Sequence, residues 1–237
     1  MTSLLANPQV HTAFELFGYA AALLVYSRRR PEPNPLGARE SAAVIAGAVI
    51  GAALGMRLLV SLSYRNVSAV LGGKTAVGGL LGGLIGVEIA KALLGVRRST
   101  GDRFVFPIIA ALAIGRIGCF LTGPIDRTAG VPTDLPWGIA IGDGVRRHPV
   151  ALYEIAFLLL LVPILLRVRR TNAHEGDAFR VFLLAYLTFR LFVDFLKPDP
   201  PPLAGGLTAI QYACIGGIAY YCAIFVRRAS RRLAATT

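Results

Sequence analysis

The sequence predicts an all-α integral membrane protein with seven transmembrane helices, the N-terminus outside and the C-terminus cytoplasmic. Three observations carry that expectation. The 237 residues are 55% hydrophobic and only 16% charged, with a mean hydropathy of +0.62; ordinary soluble domains carry about 25% charged residues. Seven apolar runs, each close to the length that crosses hydrocarbon, are separated by proline- and charge-rich stretches. The basic residues outside those runs gather on one side. The length fits a single polytopic domain over residues 1–237.

The first run, 12–27, follows "MTSLLANPQVH", which has no basic n-region and no clear cleavage site, so no removable signal peptide is expected. It stops at "SRRRPEPNPLGARE", whose prolines and charges belong in water. The second run, 41–63, carries Gly47, Gly51 and Gly55 four apart, a small face suited to close helix packing. The third, 77–96, contains "GGLLGGLIG" with the same spacing at Gly78, Gly82 and Gly86. Its surplus of glycine reads as backbone open to a lipid headgroup at Gly82 and Gly83. Between these two runs "SAVLGGKT" imitates a phosphate-binding loop, but Ser68 stands where the first glycine belongs and the flanks are membrane helices. Lys74 remains as a lone cation for a lipid phosphate.

The remaining runs are 104–122, 149–166, 178–196 and 207–226, with Pro149 placed for the first turn of the fifth. Cys214 and Cys222 read as small packing residues in the last. The three cysteines have no metal-type spacing and an odd count, so neither a metal site nor a disulfide framework is expected.

Orientation follows from the basic residues. After runs 1, 3, 5 and 7 the chain places 15 of them, including Arg28, Arg29, Arg30, Arg97 and Arg98, while the opposite side holds six: Arg65, Lys74, Arg127, Arg146, Arg147 and Lys197. The positive side faces the cytoplasm, so the longest loop, 123–148, faces outward. The net charge of +12 therefore fits an anionic membrane face, and no nucleic-acid partner is expected.

Charged residues inside the runs need a reason. A central arginine costs roughly 2.5–3.5 kcal/mol on insertion scales, so Arg57, Arg116 and Arg190 require a partner, water or a function. Glu88 with Lys91 and Arg190 with Asp194 have helical spacing and can neutralise each other. Lys91, near the cytoplasmic end, is expected to snorkel to water. Arg116 and Arg190 fall in the outward halves of their runs, where guanidinium groups suit a phospholipid phosphate. His148 sits at the water–lipid boundary, either as a solvated cap or as a proton-transfer group.

Three segments then form a recognisable series. "GRIGCFLTG" (115–123), "RHPVALYE" (147–154) and "YLTFRLFVDFLK" (186–197), in that order and spacing, resemble the bacterial prolipoprotein diacylglyceryl transferases, as does the glycine-rich third run. The resemblance spans residues from about 10 to 226. It implies transfer of diacylglycerol from phosphatidylglycerol to the lipobox cysteine thiol of a preprolipoprotein, with glycerol phosphate leaving, in the bacterial cytoplasmic (inner) membrane. Its implied partners are phosphatidylglycerol, the preprolipoprotein signal peptide and membrane lipid, with no cofactor and no metal.

The resemblance implies catalytic roles for Arg116, Arg190, His148, Glu154 and Tyr186. It implies lipid binding at Gly82, Gly83, Glu88, Arg57, Asp194 and His11. Glu88 and Asp194 would orient or offset the arginines, and His148 or Glu154 would accept the thiol proton. The sequence departs from the family at Leu81, where a histidine is usual, at Cys119 in place of Asn, and at Pro124 in place of Glu. A phospholipid-binding protein without catalysis is the alternative. A transporter is the weaker third reading, because no internal repeat is visible.

Overall fold

The computed structural model describes residues 8–28, 36–65, 73–123, 128–140, 144–171, 174–198 and 200–234. Arg29, Arg30, Ser68, Pro124 and Arg127 lie outside them. Among the described residues there are seven α-helices: α1 (Pro8–Arg28), α2 (Ala38–Tyr64), α3 (Ala76–Leu94), α4 (Val105–Leu121), α5 (Val150–Thr171), α6 (Asp177–Val193) and α7 (Ala209–Ala234). Each coincides with one apolar run. Several outrun it: α1 starts at Pro8, α5 continues to Thr171 and α7 to Ala234, because polar residues flanking an apolar run extend a helix into water.

Among the described residues four segments are long and apolar enough to cross a membrane: Ala38–Tyr64, Ala76–Leu94, Val150–Thr171 and Ala209–Arg228; α4 is apolar but shorter. Their outward faces are apolar as well, as at Val49, Leu54, Leu58 and Leu62 of α2 and Leu159 and Leu160 of α5. Such surfaces match a lipid solvent. The molecule is an all-α membrane protein.

The chain divides into two compact units. The first contains α1, α4, α5 and the start of α6. Gly18 of α1 lies so close to α4 that a Cβ there would stand 2.8 Å from the Ala111 carbonyl oxygen, and one on Gly118 would stand 2.8 Å from Phe14 Cβ. Val105, Ile109, Leu158, Leu165 and Phe182 are buried in its core.

A short antiparallel pair, β1 (Ile139–Ala140) with β2 (Arg146–Arg147), precedes α5. Arg146 Nη2 donates to the Leu135 and Pro136 carbonyls at 3.0 and 2.8 Å, tying this loop to itself. His148 N donates to Val131 O (3.1 Å) and Gly130 N to His148 O (3.2 Å), so His148 sits on a hydrogen-bonded platform. Elsewhere in the unit Asp102 caps α6, accepting from Gly176 N at 2.7 Å and Phe179 N at 2.8 Å.

The second unit contains α2, α3, the end of α6 and α7. Gly47, Gly51 and Gly55 of α2 meet Gly86, Gly82 and Gly78 of α3 in antiparallel order, each lying against the opposite carbonyl oxygen. The two glycine sets are halves of one seam. This corrects the expectation for Gly82. A Cβ on Gly82 would collide with Gly51 O and approach Gly55 Cα to 2.8 Å, which leaves no room for a headgroup; one on Gly83 would lie 3.3 Å from Ala48 O. Close approach of two backbones, not ligand access, is what requires glycine here. Thr75 begins α3, its side chain accepting from Gly78 N at 3.0 Å. Val77, Leu183, Leu187 and Cys214 fill the core.

Candidate functional site

In the first unit the arginine inside the apolar α4 has a carboxylate partner. Arg116 Nε lies 2.8 Å from Glu154 Oε1 of α5, with the side chains 14% and 1% exposed. A guanidinium bound to a carboxylate in a dry setting forms a strong, directional bond, and it answers why α4 tolerates the charge. The segment "AIGRIGCFL" is helical throughout, so Cys119, three residues on, shares the face of Arg116; Nη1 contacts its sulfur at 3.5 Å. His11, at the start of α1, approaches the same thiol. Its Nε2 is 3.3 Å from Glu15 Oε1.

The platform before α5 adds a second group of side chains. Trp137 Nε1 donates to Tyr153 Oη at 2.8 Å, and Tyr153 Oη is 3.1 Å from His148 Nδ1. An indole N–H is a donor only, so the tyrosine oxygen accepts there. Its own hydrogen is then available to Nδ1, in the tautomer that carries the imidazole proton on Nε2.

In the second unit Arg190 and Asp194 form the pair their spacing predicts, Nη2 to Oδ1 at 3.2 Å, with side chains 4% and 0% exposed. The second oxygen of Asp194 accepts from Thr208 Oγ1 at 2.6 Å. Tyr186, one turn before Arg190 on α6, is fully buried.

The other expected residues fall as follows. Glu88 bonds to Lys91 at 2.9 Å rather than to an arginine. Lys91 is 10% exposed, so it does not snorkel; the carboxylate one turn away holds it along the helix. Arg57 is exposed on α2, on the same face as Leu54 and Leu58. Leu81 lies over Gly217 of α7 in an apolar contact. Among the described residues no cluster of His, Cys, Asp and Glu has the make-up of a metal site.

Sequence reasoning named Arg116 and Glu154 without pairing them, since 38 positions separate them and no local pattern links two helices. It passed over Trp137 as a partner of Tyr153, and it passed over Thr208 and Gln211. The last two had a legible signal: "TAIQ" before an apolar run is a T-x-x-Q capping box.

Guanidinium–carboxylate pairs buried inside apolar helices mark a helical membrane protein whose interior arginines are compensated by carboxylates. The chain belongs to the prolipoprotein diacylglyceryl transferase family, whose sequence profile matches residues 9–227. It is 33% identical to the phosphatidylglycerol–prolipoprotein diacylglyceryl transferase of Nitratidesulfovibrio vulgaris Hildenborough, over 84% of this chain and 82% of that one. It is 30% identical to the protein of the same name from Bordetella avium, over 91% and 89%. With that of Methylococcus capsulatus it shares 34% identity over 78% and 76%. No solved structure gives a significant match.

Proposed function

We propose that this chain transfers the diacylglyceryl group of phosphatidylglycerol to the lipobox cysteine thiol of a prolipoprotein. A carbon–sulfur bond forms at the glyceryl carbon, the carbon–oxygen bond to phosphate breaks, and glycerol phosphate leaves. The observation that carries this reading is the Arg116–Glu154 pair inside family-matched apolar helices. Negative charge gathers on the departing phosphate, and a guanidinium already oriented by a buried carboxylate stabilises it without reorganising. Arg116 takes the phosphate through its Nη face, where a charged oxygen outcompetes the weak thiol contact at 3.5 Å. Arg190, oriented by Asp194, serves as a phospholipid phosphate ligand of the second unit, and Tyr186 supports it on the same helix.

The thiol must lose its proton to become the nucleophile. Glu154 is committed to Arg116, so this role falls to His148. The thiol proton passes to Tyr153 Oη as the tyrosine hydrogen passes to His148 Nδ1. His11 and the exposed Arg57 contribute charge for lipid phosphates. The seven helices all span the bacterial cytoplasmic membrane, N-terminus outside, as the 15-to-6 division of basic residues supports.

The test is mass spectrometry of a lipobox peptide incubated with purified protein and phosphatidylglycerol. A diacylglyceryl adduct on the peptide cysteine, lost with Arg116→Ala, is expected. Protein that retains anionic lipid but leaves the peptide unmodified would overturn the transferase in favour of a lipid-binding role.

A further inference from the structure

The start of α7 is built around a reciprocal hydrogen-bond pair. Thr208 Oγ1 accepts from Gln211 N at 3.1 Å, and Gln211 Oε1 accepts from Thr208 N at 2.9 Å. This is a complete capping box, and it uses the lone pairs of the threonine hydroxyl. The hydroxyl hydrogen points elsewhere: Thr208 Oγ1 donates to Asp194 Oδ2 at 2.6 Å. Gln211 Nε2 in turn donates to the carbonyl of Leu191, one residue after Arg190, at 3.2 Å. Thr208, Gln211, Arg190 and Asp194 are all buried, with Gln211 at 1% exposure.

A capping box needs neither of these last two bonds. An isolated helix start would leave the hydroxyl hydrogen and the glutamine amide to water. Here both are spent on the segment that carries Arg190, one on its carboxylate partner and one on its backbone. The carboxylate is thereby held at both oxygens, Oδ1 by Arg190 and Oδ2 by Thr208. A carboxylate fixed at one oxygen can rotate about its side-chain bonds and carry the guanidinium with it; fixed at both, it cannot.

We propose that Thr208 and Gln211 are positioning residues for Arg190, setting through Asp194 and Leu191 the orientation in which its guanidinium receives a phospholipid phosphate. The inference rests on the reading of Arg190 as a phosphate ligand given above. It separates two jobs of one hydroxyl: accepting starts the helix, donating aims the arginine.

The experiment uses the purified full chain in mixed micelles of phosphatidylglycerol and a zwitterionic lipid. Two quantities are read: the affinity for phosphatidylglycerol by native mass spectrometry, and the KM values for lipid and for lipobox peptide. Thr208→Val keeps the side-chain shape and removes the hydroxyl. A hydrogen bond to a buried charge is lost, so affinity for the lipid falls by on the order of tenfold or more, with the peptide KM unchanged. Thr208→Ser, which returns the hydroxyl, restores the lipid affinity. Thr208→Gly, which an N-cap position tolerates, keeps the helix start but withdraws the donor, and matches Thr208→Val if the parent substitution folds poorly.

In an Asp194→Asn background the same substitutions have little further effect on lipid affinity, since the route runs through that carboxylate. A purely structural cap would lower stability in both backgrounds and move the two KM values together. Thr208→Val and Thr208→Gly proteins with wild-type lipid affinity overturn the inference, as does an undiminished effect in the Asp194→Asn background. If the wild type retains lipid but never modifies the peptide, the transferase reading falls, and lipid affinity alone decides this one by the same comparisons.

Discussion

Replacing Arg116 with methionine removes a charge from α4 and abandons another on α5. Glu154 is 1% exposed and Arg116 14%, so solvent cannot take over the missing contact. Two unit charges about 4 Å apart attract by about 4 kcal/mol at an effective dielectric near 20. Breaking a buried pair from one side costs about 3–5 kcal/mol, because the orphaned charge stays desolvated. For a chain of this length that loss lowers Tm by about 10 °C. Removing both charges is different. Arg116→Met with Glu154→Met exchanges a desolvated pair for apolar packing, and stability returns to within about 1–2 kcal/mol of the wild type.

Activity does not return with it, since the phosphate ligand is still missing. The assay is thermal unfolding in detergent for the wild type, the two single variants and the double variant, alongside adduct formation on a lipobox peptide. Single and double variants with equal Tm would refute the pair as the reason α4 tolerates an arginine. A double variant that turned over normally would refute the phosphate role.

Two further expectations follow from other parts of the chain. Gly82→Val forces a branched side chain against the Gly51 carbonyl and Gly55 Cα, and overpacking of this kind costs at least about 1–3 kcal/mol; unfolding of the variant at the wild-type temperature would show that the seam can open. The hydrogen bond from Arg98, with its charge, holds the Glu175 carboxyl below the usual carboxylate range, and Glu175 raises Arg98 in return. A depressed folded value means that the contribution of this pair is present above the ordinary carboxylate pKa and is lost as pH falls through the depressed one. Both side chains are more than half exposed at a separation of 2.6 Å, so molar salt or Arg98→Gln returns the Glu175 titration, followed by carbonyl NMR, toward the ordinary range; a titration indifferent to both would contradict the pairing.

The local signals in the sequence were reliable where one helix decided the outcome. Apolar runs became helices, the i, i+4 spacing of Arg190 and Asp194 became a bond, and the glycine spacing marked packing faces. Where two helices had to meet, the sequence offered residues without partners. Nothing local says that Gly82 faces Gly51, so a packing seam read as an opening for lipid. The i, i+3 spacing allowed the Glu88–Lys91 pair, but nothing local says that Lys91 lies buried instead of reaching water, since snorkelling depends on what surrounds the helix.

By itself the sequence determined the class of solvent, the helical elements and the series of blocks that places the chain in its family, because hydropathy, helical period and motif order are properties of the linear chain. Tertiary structure alone decided which carboxylate neutralises Arg116, that Trp137 and Tyr153 lead to His148, and that the cap of α7 also grips Asp194. Each is a side-chain contact within hydrogen-bond reach that no i, i+3 or i, i+4 spacing along one helix announces. Such a contact follows from how helices pack, and packing is set by shape complementarity over whole faces rather than by any short run of residues.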